Sequence, residues 1–366
     1  MAKVIIHVSE IDISLASGMG KVEYYWQNTF EEAGYTFIHI GPREVGRVLH
    51  SMLFSYKAYK YFKKLNIHAV AFIVHEPVSR FFVNRNIPCF IESHGIERRS
   101  WEGMLNGSIP APEQYPITLF RKLWFPIWRL SGCDKGLQKG TKLLLINNED
   151  RAYAKLKYKR NDDDIYVFRN GATANRTKPY EDGPRVFTIL FNGSWSARKG
   201  VSTLIAAADI LHKKSVEVQY LLVGTGQDEK TIQSKWPAHL RSHTRIIPFF
   251  QPHNEFEYLN ASSLFVLPSY FEGQPLSLLQ AMAAGKCCIT TNCCGQKDLI
   301  EDQVSGFLFE PGDVNELARL IEYCYNNRQV VSRIGENAKR STEERTWESV
   351  SGEVANYISR ELNLAS

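Results

Sequence analysis

Glu272 has the clearest chemical setting in this sequence of 366 residues. It lies in Ser269-Tyr270-Phe271-Glu272-Gly273-Gln274-Pro275-Leu276-Ser277-Leu278-Leu279-Gln280-Ala281-Met282-Ala283-Ala284-Gly285, directly after the apolar run Leu264 to Leu267, which reads as a buried strand. The chain then turns through Gly273 and Pro275 into a short helix with Leu276, Leu279 and Ala283 on one side. The first N–H groups of a helix have no intrahelical partner and sit at the positive end of its dipole, so this turn can hold a phosphate or diphosphate without a lysine. Glu272, just ahead of that cradle, is placed to accept hydrogen bonds from hydroxyl groups. A second chemical element is Arg198-Lys199, before Gly200 and a helix starting near Val201. Fixed cations there would stabilise a diphosphate that gains charge as a bond to it breaks. A third is His94 in Glu92-Ser93-His94-Gly95, which ends a strand. His75-Glu76-Pro77 ends another.

Glycine loops follow other strands. Gly18-Met19-Gly20-Lys21 opens a helix carrying Val22, Trp26 and Phe30, and Gly224-Thr225-Gly226 follows the run ending at Val223. Neither completes a Gly-x-Gly-x-x-Gly fingerprint, because Glu23 fills the third position of the first and Gln227-Asp228 follow the second. A nicotinamide dehydrogenase is therefore disfavoured.

The elements that must position these residues are legible as apolar runs of strand length. Lys3 to Val8, Tyr35 to Ile40, Ala69 to Val74, Ile87 to Glu92 and Lys142 to Ile146 form one series, separated by longer segments of helical pattern. Val186 to Phe191, Val218 to Val223, Arg245 to Ile247, Leu264 to Leu267, Lys286 to Thr290 and Gly306 to Phe309 form a second. Between them Arg169-Asn170-Gly171 and the polar stretch Ala172 to Pro184 read as a linker. The length suits two α/β domains, and 44% hydrophobic with 23% charged residues is ordinary for a globular chain. No repeat or low-complexity tract is present, which sets aside solenoid and disordered architectures.

With these residues in view, a resemblance can be stated. Pro268-Ser269, the pair Glu272-Gly273, a short apolar helix reaching Ala281-Met282 and the closing Gly285 resemble the donor-site signature of the retaining glycosyltransferases of family four. The resemblance implies the GT-B fold: α/β, two doubly wound Rossmann-like domains with an interdomain cleft. Residues 1–172 would form the acceptor-binding domain, 185–345 the domain binding a nucleotide-sugar donor, and 346–366, from Thr346-Trp347, a helix crossing back to the first domain. It further implies a UDP- or GDP-linked sugar passed with retention to a hydroxyl acceptor, in cell-surface polysaccharide or lipid-linked glycan assembly. Glu272, His94 and Lys199 would be catalytic. Gly18, Gly20, Gly193, Arg198, Lys199, Gly224, Gly273, Gln274, Pro275, Leu276 and Gln280 would bind the donor.

Two positions depart from the pattern. The signature holds two glutamates eight positions apart, and Gln280 replaces the second. Eight helical residues rise about 12 Å, similar to the reach from a sugar to the ribose of its nucleotide. A carboxylate can accept from both ribose hydroxyls, whereas an amide offers one acceptor and one donor group. Ser194 stands where the family has an arginine after Gly193, with Arg198 as the substitute cation. These departures motivate a rival from another class, a catalytically silent nucleotide-sugar-binding protein, while a GT-B nucleotide-sugar epimerase is a second alternative.

No DxD motif or His/Asp cluster suggests a catalytic metal, and no cofactor is expected beyond the sugar nucleotide itself. The seven cysteines lack regular spacing, and no apolar stretch approaches a membrane span or a signal core, so a cytoplasmic location is expected. The formal charge of +5 is accounted for by residues 98–142, where Arg98, Arg99, Arg121, Lys122, Arg129, Lys135, Lys139 and Lys142 face only Glu102, Glu113 and Asp134. Within it Phe120-Arg121-Lys122-Leu123-Trp124-Phe125-Pro126-Ile127-Trp128-Arg129-Leu130 interleaves cations and aromatics. Two outcomes are open: an anionic membrane surface as partner, or a helix that buries its aromatics, with Pro126 interrupting any long amphipathic run. No nucleic-acid-binding motif accompanies the patch.

Overall fold

Two parallel six-stranded sheets carry the chain. The structure is a computed structural model and describes residues 3–15, 17–46, 48, 50–112, 115–173 and 186–364; positions 174–184 of the predicted linker lie outside the described residues. The chain divides into two units, the first comprising Met1–Asn106, Ile117–Gly171 and Trp347–Ser366, the second Gly107–Pro116 and Ala172–Thr346.

In the first unit the strands are β1 (Lys3–Val8), β2 (Tyr35–Ile40), β3 (Ala69–His75), β4 (Cys89–Ser93), β5 (Lys142–Leu145) and β6 (Ile165–Val167), in the order β2-β1-β3-β4-β5-β6. Ile5, Ile6 and Val8 of β1, Ala71 to Val74 of β3 and Leu143 to Leu145 of β5 are fully buried, as strands covered by helices on both faces require. Helix Gly18–Glu32 turns Val22, Trp26 and Phe30 inward. The closing helix Trp347–Leu364 packs on it, with Tyr25 stacked on Trp347 at 4.8 Å and Thr29 Oγ1 2.7 Å from Ser351 Oγ.

In the second unit β7 (Thr188–Asn192), β8 (Gln219–Val223), β9 (Thr244–Ile247), β10 (Leu264–Leu267), β11 (Cys288–Thr291) and β12 (Phe307–Phe309) take the order β12-β11-β10-β7-β8-β9. Every strand predicted from an apolar run is present. β6 was not foreseen: three residues behind the acidic run Asp162–Asp164 offer too short a pattern.

Strand order fixes where ligands can bind. In an open parallel sheet the crevice lies beyond the carboxyl ends of the strands, where the winding direction reverses. That point falls between β1 and β3 in the first unit and between β7 and β10 in the second. The loops at the second reversal are those holding Gly193 to Lys199 and Pro268 to Pro275.

Two expectations are corrected. Helix Leu276–Ala283 is buried nearly all round, from Leu278 through Ala283, and not along one side, because β10 and β11 and helix Arg328–Ser341 pack against it. Pro126 does not end its helix: Leu119–Phe125 continues through a π-turn at Pro126–Leu130 into Ser131–Lys139. The wider turn accommodates the ring and the missing N–H.

Candidate functional site

At the β7/β10 reversal Glu272 is 6% exposed and lies between two cations. Lys199 Nζ is 2.7 Å from its Oε1, and Arg198 Nη1 is 3.4 Å from its Oε2. Burial alone would raise the carboxyl, but Lys199 and then Arg198 outweigh it and hold the group below its ordinary range, so Glu272 stays ionised at neutral pH.

The loops bearing these groups are sewn together by backbone. Tyr270 N–H donates to Arg198 O at 2.8 Å, and Arg198 Nη1 donates to Phe271 O at 2.5 Å. Gly200 holds φ at +71°, and a methyl there would lie 1.8 Å from Pro268 O. At Gly193 an added methyl would sit 3.7 Å from Lys199 Nζ, so this glycine leaves the backbone open beside the ammonium.

Helix Leu276–Ala283 starts at Pro275, which has no hydrogen-bonding side chain, and no side-chain cap bond is made at its start among the described residues. The expected anion cradle rests on this uncapped start, where the first N–H groups lack intrahelical partners. Helix Val201–Lys213 behind Lys199 likewise starts at Gly200 without a side-chain cap. Beside the β7 and β8 loops lies a cavity of about 820 Å³ lined by Ser194, Trp195, Ala197, Thr225, Gly226 and Gln227, among others. Gly224 directly precedes Thr225 of that wall: its φ is +66°, and a methyl would meet Asn192 Oδ1 at 3.0 Å.

The remaining donor-side candidates are tied to other groups. Gln274 Oε1 accepts from Arg345 Nη1 at 3.3 Å. Leu276 is partly buried against the core. Gln280 is 6% exposed, and its Oε1 accepts the Thr173 N–H at 3.0 Å, so the amide oxygen of the departing position serves the backbone that enters this unit.

The glutamate loop rests on residues that sequence reasoning missed. Thr291 Oγ1 donates to Ser269 O at 2.5 Å, and Gln296 Nε2 donates to Thr291 Oγ1 at 2.7 Å. A methyl on Gly295 would be 1.6 Å from Gly273 O, so helix Cys294–Leu299 abuts the loop backbone directly. Only a glycine following Cys293-Cys294 hinted at this close approach.

In the first unit the glycine loop is occupied by its own chain. Gly20 N–H donates to Ser17 Oγ at 3.1 Å, and a methyl there would meet Ser17 Oγ, Asp12 O and Ser14 N within 3 Å. Gly18 is the first residue of that helix. Gly20 therefore answers a packing demand.

His94 belongs to a buried network that links β1, β2 and β4. Its Nε2 lies 2.6 Å from Glu92 Oε1, and Glu92 Oε2 lies 3.3 Å from His7 Nε2. His7 Nδ1 contacts His39 Nδ1 at 2.9 Å. Burial would raise the Glu92 carboxyl, but hydrogen bonds from His7 and His94 hold it well below the usual range. An ionised Glu92 has no proton to give, so His94 Nε2 carries hydrogen and Nδ1 is its remaining ring nitrogen. His7, Glu23 and His39 could also hold a metal ion, as could Asp12, His39 and Glu44. In the first group the two histidines already bond to each other and His7 to Glu92.

This network predicts a pH optimum for stability. Burial raises Glu23 to about 7 and Glu76 to about 8 from 4.5, so their contribution is complete below 4.5 and fades as pH rises through those values. His7 is raised from 6.5, for burial lowers it but Glu92 and Glu23 prevail, and its contribution also fades upward. Burial lowers His39 and His75 to about 3, so theirs is present above 6.5 and fades downward. The opposing slopes cancel between 4.5 and 6.5. Thermal melting should therefore show a plateau there and a fall between about 6.5 and 8, and Glu76→Gln should flatten the upper limb; a melting temperature still rising at pH 8 would refute this.

The two parallel six-stranded sheets together have the GT-B fold. Residues 177–341 match the family model of glycosyl transferases group 1. Among curated relatives, an uncharacterised glycosyltransferase of Methanocaldococcus jannaschii is 27% identical over 285 residues, 74% of this chain and 76% of that one. The capsular polysaccharide biosynthesis glycosyltransferase CapM of Staphylococcus aureus is 27% identical over 157 residues, 43% of this chain and 41% of that one. The chain thus spans under half the length of several relatives it matches. Among solved structures, sucrose-phosphate synthase from Thermosynechococcus elongatus superposes with a TM-score of 0.80 at 17% identity over 100% of both chains. Anabaena HepE in complex with UDP-glucose gives 0.68 at 16% identity, over 98% of this chain and 99% of that one.

Proposed function

We propose that the protein transfers a hexose-type sugar, with retention at the anomeric carbon, from a UDP- or GDP-linked donor to a hydroxyl acceptor of a polysaccharide or lipid-linked glycan. The observation that carries this reading is the buried Glu272 between Lys199 and Arg198, in the loop leading to an uncapped helix start at a reversal point of the sheet. The cradle would take the diphosphate and Glu272 the hydroxyls of the sugar. Lys199 and Arg198 would stabilise charge on the departing phosphate, the part a metal plays elsewhere. The acceptor oxygen bonds to the anomeric carbon on the face the phosphate oxygen leaves, and the acceptor's proton passes to that oxygen. His94, held by Glu92, offers Nδ1 to a sugar hydroxyl. The UDP-glucose bound by HepE and the capsular role in the name of CapM support this reading. We assign donor binding to the second unit, acceptor binding to the first, and a cytoplasmic workplace to the whole.

A second reading, nucleotide-sugar binding without turnover, is favoured by Gln280, whose oxygen is committed to Thr173, and by Ser194 in place of a cation. Thermal shift with UDP and GDP, followed by donor hydrolysis, separates the two. Nucleotide at 100 times its dissociation constant should stabilise the protein by about 2.7 kcal/mol. Stabilisation with turnover supports the transferase and stabilisation without turnover the silent binder; no stabilisation by any nucleoside diphosphate sinks both.

A further inference from the structure

The helix beginning at Leu119 is inside out. Leu119, Phe120, Leu123, Trp124, Ile127 and Trp128 recur at i, i+4, i+8 and i+1, i+5, i+9, one continuous face, and are 45% to 75% exposed. Monomeric proteins rarely leave such a patch without an occupant. Phe120, Trp124 and Trp128 follow one another at ring separations of 5.8 and 6.4 Å, and Trp128 meets His50 edge-on at 4.4 Å. His50 caps helix Ser51–Leu65, so the apolar face runs directly onto that helix.

There the surface changes character. Leu53, Tyr56, Lys57, Lys60, Lys63 and Lys64 are all exposed and fall on one stripe, at i, i+3, i+4, i+7, i+10 and i+11. None of these four lysines is in an ion pair among the described residues. By contrast, four of the eight cations counted in residues 98–142 are spent internally. Arg98 pairs with Asp134, Arg99 with Glu149 and Asp150, Arg129 with Glu97 and Glu10, and Lys142 with Glu361. Lys122 and Lys139, both exposed, and the partly exposed Lys135 have no ion pair among the described residues.

We propose that this face, the apolar stripe of 119–128 continued by the lysine stripe of 53–64, docks on an anionic lipid surface. Tryptophan and leucine enter the boundary between headgroups and acyl chains, while long lysine stems keep their ammonium groups among lipid phosphates. Charge complementarity selects this occupant over a second copy of the chain, whose matching lysine stripe would be repelled. The inference adds a surface to the proposed transferase without depending on its activity.

The test is co-sedimentation with phosphatidylcholine vesicles, with and without phosphatidylglycerol, at low and high salt. The wild-type protein should bind only the anionic vesicles, and more weakly in high salt. Lys57→Glu/Lys60→Glu/Lys64→Glu should weaken binding roughly 100-fold, and Trp124→Ser/Trp128→Ser about tenfold. Melting temperature and nucleotide binding of both variants should match wild type, which separates failure of docking from failure of the donor site. Wild-type protein that ignores anionic vesicles, variants that bind as wild type does, or a dimer in sedimentation velocity that Trp124→Ser dissolves would each overturn the proposal.

Discussion

Glu272→Ala is expected to lower donor turnover roughly 100- to 1,000-fold, the range found when one preorganised group of a reacting centre is removed. The reason is double. The carboxylate is the only buried anion beside Lys199 and Arg198 among the described residues, and under the proposed function its loss removes the acceptor for sugar hydroxyls. It also leaves the Lys199 ammonium, 13% exposed, without its counter-charge, so the cation is freed to bind the diphosphate more tightly in the ground state. A fall in kcat with KM for the donor unchanged or lowered is therefore expected, since binding gained equally before reaction does not speed it. Glu272→Gln keeps the volume and one acceptor oxygen and should retain more activity than alanine. Steady-state donor hydrolysis decides the matter: turnover of the alanine variant within threefold of wild type would remove Glu272 from the mechanism.

The second large effect is expected at Gly295. Its α-hydrogen occupies the place where a methyl would come 1.6 Å from Gly273 O, and the obstacle is backbone, which cannot swing aside as a flexible side chain would. Gly295→Ala must push the glutamate loop off its seat on Thr291 and Gln296. Overpacking of this kind costs about 3 kcal/mol, or a fall in melting temperature of roughly 6–12 °C. Gly200→Ala should behave alike, since it combines φ of +71° with a methyl 1.8 Å from Pro268 O. Gly226→Ala supplies the scale: φ is +67° but nothing lies within 4 Å, so only backbone strain of about 1–2 kcal/mol remains. Calorimetry and nucleotide binding should rank Gly295 and Gly200 well above Gly226. Equal losses at all three would show that crowding at the loop is immaterial.

How much of this could be read from the chain follows from the range of the interactions. Strands such as Lys3–Val8 and Leu264–Leu267 are visible because a strand buried on both faces writes an unbroken apolar run. The helix start after Glu272 is visible because glycine and proline punctuate locally. His7 with Glu92, separated by 85 positions, and Thr173 with Gln280, separated by 107, leave no local trace. The clamp of Thr291 and Gln296 on Ser269 is hidden for the same reason. The helix at 119–130 misleads in another way. Its composition reveals that aromatics and cations alternate, but which face turns outward depends on Arg98, Arg99 and Arg129 finding acids elsewhere in the unit.

Where the main segment of the second unit begins and ends, Ala172 N–H donates to Arg345 O at 2.7 Å and Ala172 pairs with Thr346 as a parallel bridge. The stretch matched by the family falls wholly between these points. Entry and exit are thus clasped at one spot, so the stretch from Ala172 to Thr346 leaves and rejoins the rest of the chain at two adjacent junctions. Gln280 fastens helix Leu276–Ala283 to Thr173, one residue inside that clasp. A chimera cut on the far side of Thr173 would carry the helix without its fastening, so the useful crossover lies before Ala172.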